Sequence, residues 1–164
     1  MQTQLLVGPI AEGCVVRVVG HGTMQESLAF RSAIQANINR GLIVFDASEC
    51  SYLDSTFLGG LIGIQKAAEQ SPRGRFVIVA DESMRLQLFS TSSLDRYFDF
   101  VDECPEPTGE LETLEVDALD SKTLGRHIAV CHQSLADRGG PDSGAFRSIA
   151  ERLSEELDDP SGRT

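Results

Sequence analysis

The sequence of 164 residues lacks the long apolar and the basic stretches that whole classes of proteins require. No apolar stretch approaches the roughly 18 residues needed to span a bilayer, and the first residues show neither a charged leader nor an apolar segment with a cleavage site. Lys and Arg number 14 against 25 Asp and Glu, and they form no cluster of the kind that binds nucleic acid. We therefore expect a cytoplasmic protein that binds neither a membrane nor nucleic acid.

The motifs of nucleotide-binding and disulfide-bonded proteins are missing as well. Neither G-x-x-x-x-G-K-[ST] nor G-x-G-x-x-G occurs, so a nucleotide pocket lacks support and we expect no cofactor. The cysteines form no C-x-x-C pair and are expected to be free thiols in a reducing compartment. They are Cys14, Cys50, Cys104 and Cys131.

The charge that is present is unevenly distributed. Residues 1–101 carry 10 acids and 8 bases, whereas residues 102–164 carry 15 acids and 6 bases. Residues 103–120 hold seven acids and no Lys or Arg, with prolines and a glycine, which is typical of a linker or a loosely packed segment. Helical apolar stripes follow. The sequence thus predicts a domain at 1–102, an acidic linker, and a two-helix C-terminal extension at 121–157.

The start of the domain reads as a hairpin followed by a helix. Residues 4–7 and 13–19 are short β-rich runs separated by a segment with Gly and Pro. Thr23 and Glu26 then have the spacing of a capping box, ahead of apolar residues at helical spacing. Gly41 supplies the predicted end of this first helix.

The middle of the domain alternates buried strands with helices. Residues 42–45 and 76–80 are fully apolar, as expected for strands covered on both faces. A second helix begins at residues 54–56 between them, and two such strands joined by a helix indicate a parallel, right-handed βαβ unit. Asp81 or Ser83 can cap a third helix, and residues 97–101 return as a short strand. The fold class predicted from these patterns is α/β.

Three glycines inside the second helix allow two interpretations. Gly59, Gly60 and Gly63 each cost up to about 1 kcal/mol relative to Ala in a helix. One interpretation is that Gly59 and Gly63 let the helix approach the sheet. The other is that Gly60 keeps an exposed rim of the helix flat for a partner.

The start of the second helix carries more polar groups than a cap needs. Asp54, Ser55 and Thr56 are consecutive, although one N-cap side chain, worth about 1 kcal/mol, is sufficient. At least one hydroxyl is therefore spare. A phosphate on it would meet free helix amides but would also place about −2 charge beside Asp54. Capping alone and a phosphorylation switch are the two hypotheses for these residues.

Catalytic and metal sites are less well supported. Ser55 lies at a strand-to-helix turn, but the glycines of G-x-S-x-G are absent and His21 would have to approach as its base. His127 and Cys131 are four residues apart on a helix, with His132 nearby, and could bind a metal. The favoured interpretation is that Cys131 is apolar core and the histidines are at the surface. We expect neither enzymatic activity nor a metal site.

The segment LIVFDASECSYLDSTFLGGLIGIQKAAEQ, residues 42–70, resembles the central strand, loop and helix of STAS domains, the bacterial anti-sigma factor antagonists. The resemblance extends over roughly residues 3–101, with FVIVA and LDRYFDF at the positions of the fourth strand and of the final helix-strand corner. It implies a mixed β-sheet flanked by α-helices, with the C-terminal helical extension outside the minimal domain. It also implies a binding module without an active site.

The resemblance further implies a mechanism and partners. In this family the unmodified domain captures an anti-sigma factor, a serine/threonine kinase of the histidine-kinase-like ATPase type, and so frees the sigma factor. The kinase phosphorylates the second hydroxyl residue after the Asp, and a metal-dependent phosphatase of the PP2C type reverses it. The phosphoacceptor is then Thr56, with Ser55 as the alternative, and ATP belongs to the partner kinase.

The same resemblance indicates four partner-binding residues, Thr23, Asp54, Phe57 and Gly60. Phe57 stands where the family usually has a small Gly, so a kinase loop would meet a bulky side chain. Thr23 stands where the loop before the first helix usually ends in Asp. We expect partner switching controlled at Thr56; the alternative is an unmodified STAS scaffold subunit of a signalling complex or a transporter accessory.

Overall fold

A computed structural model describes residues 3–90, 93–138 and 143–158 of the chain. Within these ranges the backbone forms seven strands: β1 (Gln4–Ile10), β2 (Gly13–Gly22), β3 (Leu42–Asp46), β4 (Cys50–Leu53), β5 (Arg75–Val79), β6 (Phe100–Val101) and β7 (Glu112–Leu114). The same ranges hold five α-helices: α1 (Met24–Gln35), α2 (Ser55–Gln70), α3 (Glu82–Phe89), α4 (Ser121–Arg138) and α5 (Ser143–Asp158). No helix within them has the length and apolar character needed to cross a membrane.

The strands form one mixed sheet in the order β6-β5-β3-β2-β1-β7, and β4 pairs with the C-terminal end of β2, residues 20–22. β1 and β2 are the antiparallel hairpin expected from the sequence, while β2, β3, β5 and β6 run parallel. The predicted α/β class, a mixed sheet flanked by helices with a C-terminal helical extension, is confirmed. Pro9 is tolerated within β1 because β7 pairs only with residues 5–7 of that strand.

Alternating residues of the strands build two apolar layers. One face of the sheet, with Val16, Phe45 and Ile78, forms the main core with α1, α2 and α3. The opposite face, with Val15 and Val44, is covered by partly buried residues of the segment that follows β6. Both central strands are therefore buried on both sides, which explains their continuous apolar sequence.

The segment predicted to be an acidic linker is partly built into the sheet. β7 lies within it and pairs antiparallel with β1, and Pro107 bridges to Ile10. Cys104 and Leu111 pack on the second apolar layer. The connection between β7 and α4 is therefore residues 115–120, which is shorter than the expected segment 103–120.

Helix ends follow the predicted chemistry, with one shift. Thr23 caps α1 in a capping box with Glu26, as expected, and Asp54 and Asp81 cap α2 and α3. α1 ends at Gln35, well before Gly41, and a short 3-10 turn fills the gap. Gly41 has a φ of +129°, a conformation that favours glycine, so this residue serves the entry to β3 instead.

The C-terminal helices form a second helical layer. α4 packs most extensively against α5; within the domain it packs mainly against α2 and less extensively against α1. Leu135 of α4 reaches the main core, and Phe146 of α5 borders it. The extension is thus docked on the outer side of the domain's own helices, over the region that contains the candidate site.

A buried ion pair joins β2 to β3 on the second face of the sheet. The Asp46 carboxylate, 1 % exposed, accepts a hydrogen bond from Arg17 Nε at 2.7 Å and one from the Ser48 amide at 3.0 Å. Glu49 is exposed and lies at 4.0 Å from the same Arg17 nitrogen. Asp46 therefore depends on Arg17 for its charge balance, whereas Glu49 contributes little.

We expect Arg17→Met to lower the free energy of unfolding by roughly 3 kcal/mol, because it leaves a buried carboxylate without its cation. Glu49→Gln, the matched control beside the same guanidinium, should change it by less than about 0.5 kcal/mol. Urea unfolding of both variants measures the difference. Adding Asp46→Asn to Arg17→Met should recover part of the loss; equal stability of Arg17→Met and wild type would contradict the assignment.

Candidate functional site

The N-termini of α1 and α2 meet at a single carboxylate. Asp54 Oδ1 accepts a hydrogen bond from the Phe57 amide at 2.8 Å, which caps α2. Asp54 Oδ2 accepts one from the Met24 amide at 2.7 Å, at the first residue of α1. Because free helix amides carry partial positive charge, one carboxylate stabilises both helix ends and fixes them relative to each other.

Thr23 lies next to this junction and has its own bonding. Its side chain accepts from the Gln25 amide at 3.4 Å, and the Glu26 carboxylate accepts from the Thr23 amide at 3.0 Å and from the Thr23 hydroxyl. The residue is half-buried. In this conformation Thr23 is a helix cap, and its predicted partner-binding role stays a prediction.

The two predicted phosphoacceptors differ in their surroundings. Thr56 is 4 % exposed, whereas Ser55 is half-buried. Thr56 precedes Gly60 by one helical turn, which places it on the side of α2 that faces α1 and α4. A kinase could not reach Thr56 in this conformation without a displacement of neighbouring groups.

Phe57 is in the core, contrary to the expectation that a partner loop would meet it. Its ring lies 4.8 Å from the Phe30 ring and 5.8 Å from the Phe45 ring, and its side chain is 1 % exposed. Phe57 therefore anchors the first turn of α2 on the sheet. Its bulk lies away from the surface, so it does not obstruct the approach of another protein.

The glycines of α2 face other helices rather than the sheet. A Cβ on Gly59 would lie 2.1 Å from the carbonyl oxygen of Cys131 in α4. A Cβ on Gly60 would lie 3.1 Å from Ser27 Oγ of α1 and 3.8 Å from Cys131 Sγ, whereas one on Gly63 would meet nothing within 4 Å. The interpretation that Gly59 and Gly63 let the helix approach the sheet is wrong, because Gly59 lies against α4. Gly60 is buried, so the interpretation that it keeps an exposed rim flat is wrong as well.

Two histidines of α4 bond to serines of the domain. His132 Nε2 lies 3.0 Å from Ser55 Oγ, and His127 Nε2 lies 2.8 Å from Ser27 Oγ. Both rings are buried, contrary to the expectation that they lie at the surface. Together with Gly59 and Gly60, these serines form a surface, here named the α1–α2 face (Ser27, Ser55, Gly59 and Gly60), that α4 covers.

Burial sets the protonation of this interface. It lowers the pKa of His127 to about 4, and the Arg31 guanidinium acts in the same direction. Burial also lowers the pKa of His132, partly opposed by the Asp54 carboxylate, and it raises the pKa of the Cys131 thiol to about 11. At neutral pH both histidines are therefore uncharged and Cys131 is a thiol, as a buried interface requires.

The Ser55–His132 pair has the spacing of a nucleophile and its base, but its surroundings differ from those of a hydrolase. His132 Nδ1 is buried and has no hydrogen-bond partner among the described residues, so no carboxylate orients the ring. His21, the base considered from the sequence, lies against Tyr52 with 5.8 Å between ring centroids. The Ser55–His132 contact is accounted for by the packing of α4 on α2.

The three residues considered for metal binding, His127, Cys131 and His132, do not share one site. Cys131 Sγ lies 3.6 Å from His127 Nε2, but His132 bonds to Ser55. Over the ranges that the structure describes, no group of three or more His, Cys, Asp or Glu side chains could hold a metal ion. His127 and His132 serve as hydrogen-bonding groups of the helix interface.

Sequence reasoning missed the histidines although a signal was available. His127 lies three residues after Leu124 and four before Cys131, and His132 lies three before Leu135. These spacings put both rings beside the apolar stripe of α4. A buried position could have been inferred from them, but not the serines that the rings would meet.

We expect Gly59→Ala to destabilise the protein by about 2 kcal/mol, because the added methyl group meets the backbone of α4. Gly63→Ala is the matched control in the same helix; it meets nothing and should raise stability by up to ~1 kcal/mol. Thermal or urea unfolding of both variants measures the contrast. Equal effects of the two substitutions would show that α4 does not cross α2 at Gly59.

We expect stability to fall as the pH falls from 6.5 towards 4, the range between the ordinary and the lowered pKa of His127. In this pH range His127 is protonated in the unfolded chain but not in the folded chain. This group alone therefore lowers the free energy of unfolding by about 2 kcal/mol between pH 7 and pH 5. His127→Gln keeps a donor near Ser27 and does not titrate. Its unfolding free energy should change less over the same pH step; identical pH dependence in the two proteins would contradict the buried, neutral state.

Comparison with models of known protein families found no match, and a search of curated protein sequences found none either. The features of the structure that bear on function are the contacts of α1, α2 and α4. Those contacts identify one junction, at Asp54, and one covered surface, the α1–α2 face.

Proposed function

We propose that this protein is a partner-switching regulatory module of the anti-sigma factor antagonist type, controlled by phosphorylation at the N-terminus of α2. The observation that carries the proposal is Asp54, whose carboxylate accepts hydrogen bonds from the Met24 amide of α1 at 2.7 Å and from the Phe57 amide in the first turn of α2 at 2.8 Å. The hydroxyls of Ser55 and Thr56 follow it directly. A charge added there acts on two helices at once.

The chemistry of a phosphate explains how such a switch works. A phosphate adds about −2 charge and repels the Asp54 carboxylate, which weakens its hold on both helix ends. At Thr56 it also lacks space, since the side chain is 4 % exposed. At Ser55 it replaces the hydrogen bond to His132. Modification at either residue therefore changes the packing of α1, α2 and α4, and with it the surface offered to a partner.

The partners proposed are those that the resemblance implies. The unmodified module binds an anti-sigma factor that is also a serine/threonine kinase of the histidine-kinase-like ATPase type, which supplies ATP. A metal-dependent phosphatase of the PP2C type removes the phosphate. Thr56 is the preferred acceptor, and Ser55 is the alternative.

The test compares three tagged full-length chains isolated from the native host: wild type, Thr56→Asp and Thr56→Val. Mass spectrometry of the peptide containing residues 41–66 should show a phosphate on Thr56 or Ser55 in wild type. A histidine-kinase-like ATPase should co-purify with wild type and Thr56→Val, and at least about tenfold less with Thr56→Asp, since a negative charge mimics the modified state.

Thr56→Val is the matched control because it has the shape of Thr without the hydroxyl, and thermal unfolding establishes that each variant is folded. Equal capture of the ATPase by all three folded chains would contradict a switch at Thr56. A phosphate found on Ser55 alone would identify Ser55 as the phosphoacceptor. Ser55→Ala and Ser55→Asp would then replace the Thr56 variants in the test.

The burial of Thr56 favours a second candidate, an unmodified scaffold subunit of a signalling complex or a transporter accessory. In that role Thr56 would serve only as a packed residue of α2, and no phosphate would form on Ser55 or Thr56 under any growth condition. Thr56→Val would then leave the host's response unchanged. The mass spectra described above separate the two functions.

A further inference from the structure

The surface nearest to the proposed switch is already occupied by another part of the same chain. Every residue of the α1–α2 face contacts α4 or lies against it: Ser27 and Ser55 through hydrogen bonds, Gly59 through the Cys131 backbone, and Gly60 through the Cys131 thiol. These contacts are side by side on the outer side of α1 and α2. A protein that binds this face must first displace α4.

We propose that the α1–α2 face is a helix-binding groove, which α4 fills in the closed protein and which a partner fills with an amphipathic helix of its own when α4 is displaced. The inference concerns the same face as the proposed function. Binding in this groove requires neither phosphate nor kinase, so it can be tested independently of the proposed switch.

The shape of the groove selects a helix with a small residue at its centre. At Gly59 the groove has no side chain, so the backbone of the bound helix comes within contact distance of α2. Close approach of two helix backbones requires small residues at the crossing. α4 supplies Cys131 there, and polar side chains four residues before it and one residue after it reach Ser27 and Ser55.

Most of the main core comes from the domain itself, which makes displacement of α4 feasible. Among the described residues of the two C-terminal helices, Leu135 belongs to the main buried cluster and Phe146 borders it. The other members of that cluster come from the domain itself. α5 packs against α4, so the two helices can leave together and keep their mutual contacts.

The connection to the domain permits such a movement. Residues 115–120 join β7 to α4, and all of them except Leu119 are exposed. Asp120 caps α4 through the Thr123 amide at 2.8 Å, so this end of the helix keeps its cap when it moves. Six residues span up to about 20 Å when extended, which is enough to clear the face of α2.

The interface is also suited to exchange. Hydrogen bonds of His127 and His132 to serines can be replaced by water or by a partner's polar groups, unlike a purely apolar seam. A partner helix that offers donors at the same two positions would satisfy Ser27 and Ser55 equally well. The bound helix is thus recognised by two polar contacts and one close crossing.

The test displaces α4 from the α1–α2 face of the full-length chain by one substitution on α4, which leaves the residues of the face unchanged. His132→Asp places a carboxylate beside Ser55 and Asp54, where burial and repulsion both oppose docking. Val130→Asp adds the same charge to an exposed position of the same helix and is the matched control. Alkylation of Cys131, which is 1 % exposed in the closed protein, should accelerate at least about tenfold in His132→Asp and stay unchanged in Val130→Asp.

The probe for the groove is a fluorescein-labelled synthetic peptide of residues 121–138, with binding measured by fluorescence anisotropy under reducing conditions. It should bind His132→Asp at least about tenfold more tightly than wild type or Val130→Asp, in which α4 competes. Adding Gly59→Ala to His132→Asp should abolish this gain, because the methyl group fills the crossing. Adding Gly63→Ala should leave it intact.

Three results would overturn the proposal. The first is a Cys131 that stays protected in the folded His132→Asp chain, because α4 then cannot be displaced. The second is peptide binding that is equal or absent in wild type and the opened chain. The third is binding that survives Gly59→Ala. None of these readouts involves phosphate or an ATPase, so a failure here is distinct from a failure of the proposed switch.

Discussion

The contact on which the outer part of this structure depends is the crossing of α2 and α4 at Gly59. A Cβ at that position would lie 2.1 Å from the Cys131 carbonyl oxygen, so the two helices touch through their backbones. That approach brings the side chains on either side of Cys131 within hydrogen-bonding distance of the domain. His127 then reaches Ser27, and His132 reaches Ser55. A larger residue at Gly59 would push α4 away from α2 and break both hydrogen bonds.

The crossing also connects the C-terminal extension with the junction at Asp54. Ser55 is bonded to α4, and its neighbour Asp54 holds the first amides of α1 and α2. A change in charge at Ser55 or Thr56 therefore acts in two directions, on the helix ends through Asp54 and on α4 through His132. Under the proposed function, a phosphate on either hydroxyl would therefore alter the packing of α1, α2 and α4 although neither hydroxyl is freely exposed.

The parts of the fold that depend on local chemistry could be predicted from the sequence. The cap at Thr23, a cap at the start of α2 and the two buried parallel strands are confirmed, because capping and apolar runs are determined within a few residues. The choice of Asp54 over Ser55 as the cap of α2 was left open by the sequence. β7 could not be predicted, since it pairs with β1 through backbone groups that carry no sequence signal. The buried positions of His127 and His132 could have been inferred from their spacing, but their serine partners lie 100 and 77 residues away along the chain, and no local pattern encodes such a pairing.

In the structure, α4 lies directly on α2, over the candidate site. Nuclear magnetic resonance can detect this contact through the nuclear Overhauser effect between the α protons of Gly59 and Cys131. A Cβ on Gly59, which would take the place of one of its α protons, would lie 2.9 Å from Cys131 Cα. We expect a strong cross-peak between these protons in the wild-type chain at neutral pH. Absence of that cross-peak, with both residues assigned and the domain folded, would contradict this contact.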